Sequence, residues 1–249
     1  MVTMNKLTDR VEMPRKMCPV IFLLDTSGSM GGAPIGAVNA ALESVLPELI
    51  SMNGSNPDAE IKVAIMTFDF DAEWKFGGEE LLLPADIQNS WNDLDANGPT
   101  SMGAAFRALD EKLSISHGFM QHASGSVAPV LFLLSDGEPT DDYQAGLQRL
   151  KENNWYQVAV RVAVGYGDSN DDVLREFTMN AETVMHTDNP ADLKKMIKFI
   201  AITSSRVASK GSGVMPEGAN VNPDDNTGGV ATALQAQGGS LNASADEKW

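Results

Sequence analysis

Three short runs of oxygen-bearing side chains carry the chemical promise of this chain. Asp25-Thr26-Ser27-Gly28-Ser29 follows directly on the apolar run 20–24, and Ser135-Asp136-Gly137 follows directly on the apolar run 130–134. Gly98-Pro99-Thr100 stands just before a helical pattern that opens at Met102. Alternate residues of an extended chain project to the same side, so a tight loop can converge Asp25, Ser27 and Ser29 on one point. Asp25, Ser27, Ser29, Thr100 and Asp136 then form an oxygen-only donor set. Such a set suits Mg²⁺ or Mn²⁺, and Ca²⁺ less well, rather than zinc. Two carboxylates formally neutralise one divalent ion, and the three hydroxyls add no charge. Mg²⁺ takes about six oxygens and often keeps water, so five protein groups leave room for an anionic oxygen from outside. A helix expected to start near Pro34 adds a positive dipole end beside the first loop.

These loops need a scaffold, and the hydrophobic pattern supplies one. The runs 20–24, 61–68, 130–134 and 158–164 are almost continuously apolar, as strands become when both faces of a parallel sheet are covered. Residues 73–83 read as an antiparallel edge strand interrupted by Gly77-Gly78, and 183–186 as a short closing strand. Helical stripes lie between them: Ile35, Val38, Leu42, Val45, Leu46 and Leu49; Met102, Phe106, Leu109 and Leu113; Tyr143, Leu147 and Leu150. Val173, Leu174 and Phe177 form a short stripe, and Leu193, Met196, Ile197 and Ile200 a last helix. Pro47 is expected to kink or end the first of these. Strands alternating with helices imply an α/β fold, doubly wound around a mostly parallel six-stranded sheet with one antiparallel edge strand.

The chain has 249 residues, 43% of them hydrophobic, which suffices for one large domain. A lead segment, 1–17, precedes the expected domain at 18–204. Beyond it, 205–249 is rich in Gly, Ser and Asn and loses apolar periodicity, so it reads as a flexible tail. Eighteen basic against 34 acidic residues give a net charge of -16, which argues against nucleic acid and against anionic membrane surfaces as partners. The single cysteine, Cys18, reads as a buried small hydrophobe. No signal-peptide apolar core and no membrane-length apolar run is evident, and the expectation is a cytoplasmic protein.

Asp25-x-Ser27-x-Ser29, Thr100 and Asp136-Gly137, in this order on alternating strands and helices, resemble the von Willebrand factor A domain and its metal-ion-dependent adhesion site. The resemblance covers about 18–204 and matches all five ligand positions. It implies a strand order 3-2-1-4-5-6 and metal contacts from Ser27, Ser29 and Thr100. It also implies direct or water-mediated contacts from Asp25 and Asp136, and a partner protein whose Asp or Glu completes the shell. Within the family, Leu134-Ser135-Asp136-Gly137-Glu138-Pro139-Thr140 is similar to the bacterial TerY type. That type implies a tellurite-resistance-like setting, with a protein kinase and a PP2C-type phosphatase as candidate partners. Met30, Met102 and Gly31-Gly32 are expected to form an apolar rim around the metal, while Asp69 and Asp71 read as solvated turn acids.

Enzymatic readings find less support. No Gly-x-Ser-x-Gly elbow, phosphate loop or dinucleotide fingerprint is present. A Mg²⁺-dependent aspartyl phosphohydrolase with Asp25 as nucleophile is the alternative, but that chemistry wants a second Asp where Ser27 stands. Asp93-x-Asp95-x-Asn97-Gly98 imitates the start of an EF-hand loop, yet Ala104 occupies the position of its bidentate Glu. The expectation is a binding module and not an enzyme.

Overall fold

The computed structural model of the chain describes residues 15–121, 125–209, 228, 230–232 and 235. Six strands, β1 (Lys16–Asp25), β2 (Ala59–Phe68), β3 (Ala72–Phe76), β4 (Val130–Ser135), β5 (Val160–Tyr166) and β6 (Val184–Thr187), form one sheet in the order β3-β2-β1-β4-β5-β6. All neighbours are parallel except β2 and β3. The fold class and strand order are those expected. The strand ends align: Asp25 pairs with Phe68, Leu24 with Leu134, and Ser135 with Gly165. The loops that follow β1, β2 and β4 therefore leave the sheet at one level.

Among the described residues, seven helices of five residues or more cover the sheet: α1 (Ala33–Ser55), α2 (Pro84–Ser90), α3 (Met102–Lys112), α4 (Tyr143–Lys151), α5 (Asn154–Val158), α6 (Asp171–Thr178) and α7 (Pro190–Ser209). Continuous apolar strands feed two cores at once. Val20, Phe22 and Leu24 of β1 point into a core completed by α1, α2 and α7. Ile21 and Leu23 point into a second, completed by α3, α4, α5 and α6. Phe22 and Phe132 sit with ring centroids 5.4 Å apart in the first core, and Phe106 stacks on Phe177 at 5.5 Å in the second. Each fully buried phenylalanine contributes about 1.5–3 kcal/mol by leaving water.

Several local expectations are revised. Pro47 does not end its helix, because α1 continues to Ser55 with Pro47 on its exposed side. There the carbonyl that loses its donor can meet water, while Val45, Leu46 and Leu49 hold both halves against the sheet. α1 is long and apolar enough to span a membrane by composition, but its apolar stripe is buried against the sheet and α7. β3 stops at Phe76 because Gly77, at φ 71°, turns the chain. A Cβ there would lie 2.9 Å from the carbonyl of Val63. Val158 belongs to α5, capped by the Asn153 side chain, and not to β5. α7 runs through the expected boundary at Ser204 to Ser209, and Val230 and Ala231 are buried, Val230 within the first core. Residues 210–227, 229, 233–234 and 236–249 of the expected tail, and residues 1–14 of the lead segment, lie outside the described residues.

Gly36 lies in α1, exposed, with nothing within 4 Å of where a Cβ would stand. Gly36→Ala is expected to raise stability by about 0.5–1 kcal/mol, since alanine lowers unfolded-state entropy and favours helix. Urea titration checks it, and a lower midpoint would show that this turn is constrained in some other way.

Candidate metal centre

The switch point of the sheet lies between β1 and β4. The connection after β1 leads to α1 on one face, and that after β4 leads to α4 on the other. Open α/β sheets leave a crevice at such a point, outside the carboxyl ends of the strands. All five expected site residues meet there.

Asp25 ends β1 and is fully buried. Its Oδ1 accepts the backbone N–H of Ser27 at 2.8 Å, which bends the chain into a 3₁₀ turn, Gly28–Met30. Its Oδ2 accepts the hydroxyl of Ser135 at 2.6 Å. That turn presents Ser27 and Ser29, whose hydroxyl oxygens are 3.0 Å apart. The Ser29 hydroxyl donates to Asp136 Oδ1 at 2.8 Å, and that of Ser27 lies 3.5 Å from the same oxygen. A Cβ at Gly137 would stand 3.5 Å from the Thr100 hydroxyl and 4.0 Å from that of Ser29, so both hydroxyls border this glycine. Only Ser29 of the five is exposed.

The three loops are stitched together by the backbone. Gly28 N–H donates to Gly98 O at 2.9 Å, and Asn97 N–H to Thr26 O at 2.7 Å. Thr140 donates to Thr100 O through both its N–H, at 2.9 Å, and its hydroxyl, at 3.1 Å. Asp141 reaches across to α3, accepting from Gly103 N–H and Ala104 N–H, each at 2.8 Å. This carboxylate meets the positive end of α3 and satisfies two donors that have no partner within the helix. Asp142 caps α4 through Ala145 N–H, while Asp141 caps the neighbouring helix.

Electrostatically the cluster is unbalanced. Neither Asp25 nor Asp136 has a basic partner among the described residues, and buried carboxylates are ordinarily paired or bound to metal. Burial pushes the Asp25 carboxyl up to about 6, against the opposing hydrogen bonds of Ser135 and Ser27, and the Asp136 charge adds to the rise. Burial also raises Asp136, with Ser29 and Ser27 pulling the other way. The donors are two carboxylates and three hydroxyls, a hard-oxygen set that fits a divalent cation.

The expected apolar rim is placed differently. Met30 and Met102 are core residues, 0% and 1% exposed, because each faces inward from the first turn of its element. Phe70, between β2 and β3, is instead 69% exposed and lies against Gly98. Gly98 adopts φ 77°, and a Cβ there would be 2.6 Å from the Phe70 ring. Ser135 and Phe70 are the residues at this site whose roles the sequence alone did not indicate. Ser135 had a signal, its place between a buried strand and Asp136; Phe70 had none beyond adjacency to Asp69.

The model for the von Willebrand factor type A domain matches residues 20–199. Among solved structures, a von Willebrand factor type A protein from Catenulispora acidiphila is 20% identical, with a TM-score of 0.58, over 76% of this chain and 43% of that one. Proximal thread matrix protein 1 from the mussel byssus, with a zinc-occupied metal-ion-dependent adhesion site, is 18% identical with a TM-score of 0.56, over 77% of this chain and 46% of that one. The pilus adhesin SpaC from Lactobacillus rhamnosus GG, in an open conformation, is 14% identical with a TM-score of 0.60, over 79% and 31%. The chain thus spans less than half the length of these structures, and the likeness is one of fold. No curated protein matches the chain.

Proposed function

The chain belongs to the von Willebrand factor type A family, and from that premise we propose that it is a metal-dependent protein-interaction module. The observation that carries the reading is the meeting of Asp25 and Asp136, without a basic partner among the described residues, with the hydroxyls of Ser27, Ser29 and Thr100. Ser27, Ser29 and Thr100 would hold the ion, and Asp25 and Asp136 would balance its charge. Mg²⁺ or Mn²⁺ is the proposed ion, on the hardness of the donors. Bound there, such an ion supplies a Lewis-acid position that a carboxylate from outside can fill. Ser29, the exposed member of the set, marks the side from which a partner's Asp or Glu arrives. The zinc-occupied site of the mussel protein supports divalent metal as the class of ligand for this fold.

The engagement of Asp25 supports binding over hydrolysis. Both its oxygens accept hydrogen bonds and none of its surface is exposed, which suits a residue that braces a loop better than an in-line nucleophile. In the finer reading the partner is a kinase or a PP2C-type phosphatase of a TerY-like bacterial system, supported by Leu134-Ser135-Asp136-Gly137-Glu138-Pro139-Thr140. Its test begins with the neighbouring genes and continues with co-purification of their products. The complex is expected to form in Mg²⁺, to dissociate in EDTA, and to be lost in Ser27→Ala and Asp136→Ala. Purified protein is expected to give no turnover of a generic phosphate ester. Mg²⁺-dependent hydrolysis that disappears in Asp25→Asn would establish the phosphohydrolase instead.

A further inference from the structure

Beside the metal centre lies a pocket of about 460 Å³, lined by Thr26, Thr67, Asp69, Asp93, Asp95 and Asn97 among others. It shares a wall with the site, because Thr26 stands between Asp25 and Ser27 and its hydroxyl lies 3.5 Å from Asp69 Oδ2. Three carboxylates face this pocket against one base, Lys75, whose ammonium is held 2.6 Å from Glu73. Asp93 and Asp95 are exposed. Thr67, only 2% exposed, also lines the pocket. Phe70 stands on the same turn as Asp69, and its carbonyl is fixed by the Ser101 hydroxyl at 3.1 Å. Its ring is exposed beside Gly98, on a backbone held in place.

Resting on the reading of the centre as a metal site that takes a partner's carboxylate, we propose that this pocket receives a Lys or Arg side chain from the same partner segment. Phe70 is the apolar contact between the two anchors. Charge complementarity is the reason. On a chain of net charge -16, a carboxylate approaches the metal across a field that repels it. A neighbouring ammonium or guanidinium in the acidic pocket reverses that repulsion. A segment bearing several acids and no base meets an unfavourable field everywhere but at the ion, so the pocket selects as well as binds.

The experiment selects a library of displayed short peptides on the immobilised, Mg²⁺-loaded full chain and elutes with EDTA. Eluted sequences are expected to carry an Asp or Glu with a Lys or Arg close by. The tightest such peptide is expected to bind about tenfold more weakly to the Asp93→Asn/Asp95→Asn double variant, whose folding is checked by thermal melting. The gap should close at about 1 M salt, where the Debye length is about 3 Å. Phe70→Ala should weaken the same peptide without changing its salt dependence. EDTA-eluted peptides without a basic residue, or equal binding to the double variant, would overturn the cation pocket and leave the metal–carboxylate reading standing. A library yielding no EDTA-eluted sequence would overturn both.

Discussion

Asp25→Asn is expected to abolish the stabilisation that Mg²⁺ confers, while leaving the metal-free protein no less stable at neutral pH. The wild-type chain should gain about 2.7 kcal/mol when free metal is 100 times its dissociation constant, because the ion binds only the folded state. Asparagine keeps the shape and can still accept from Ser27 N–H and meet the Ser135 hydroxyl, but it removes half of the neutralising charge. The metal-free effect follows from the raised pKa. The Asp25 carboxyl titrates at about 6 in the folded chain, above the roughly 3.9 of an unfolded one. The folded state thus prefers the proton. The stability contributed by this group is full below about pH 4 and is lost as pH rises through about 6.

At pH 7 the ionised, buried carboxylate costs on the order of 2–3 kcal/mol, which asparagine relieves. The advantage of the variant should shrink by about 1 kcal/mol between pH 7 and pH 5 as wild-type Asp25 takes up a proton. Over the same range the proton competes with metal, and apparent Mg²⁺ affinity should fall about tenfold for each pH unit below about 6. Thermal melts with and without Mg²⁺ at both pH values read all three effects. Unchanged stoichiometry and affinity by titration calorimetry in Asp25→Asn would remove Asp25 from the site.

Gly103→Ala is expected to damage fold and site together. Gly103 occupies the first turn of α3, where α4 and the loop before it press closest. A Cβ there would stand 2.5 Å from the carbonyl oxygen of Asp142 and 2.8 Å from Asp141 Oδ2. The first obstacle is backbone and cannot rotate away. Gly146 on α4 answers it from the other side, with a Cβ position 2.8 Å from Gly103 O. Forcing a methyl between them must push the 141–142 loop off the start of α3, breaking the paired hydrogen bonds from Gly103 and Ala104 to Asp141. Overpacking of this kind costs about 1–3 kcal/mol, and the loss of a two-donor cap adds about 1 more. The same displacement separates Thr100 from the Asp136 loop, since Thr140 bonds Thr100 O just before Asp141. Mg²⁺ affinity should therefore fall by at least about tenfold, equivalent to 1.4 kcal/mol. Urea unfolding and a Mg²⁺ titration on the same preparation measure both. A variant with wild-type midpoint and affinity would show that the loops can separate without consequence.

The sequence by itself determined which segments are strands and what stands at their ends. Continuous apolar runs can be satisfied only by burial on both faces, so β1, β2 and β4 are legible one residue at a time. The same locality exposed Asp25, Ser27, Ser29, Thr100 and Asp136, because an oxygen-only donor set is a matter of residue type. Tertiary structure decided what those residues touch. Ser135 locks Asp25 from 110 positions away, Thr26 reaches Asp69 across 43, and Asp141 caps α3 across 38. Such pairings depend on strand order and loop path, which a periodicity of a few residues does not encode. The same limit misplaced the rim. Met30 and Met102 stand next to candidate ligands in sequence, but the first turn of an element packed on a sheet points its apolar side chain inward, to the core. Phe70 lies far from every candidate ligand along the chain, and it reaches the rim because the β2–β3 turn and the Gly98 loop meet above the same strand ends.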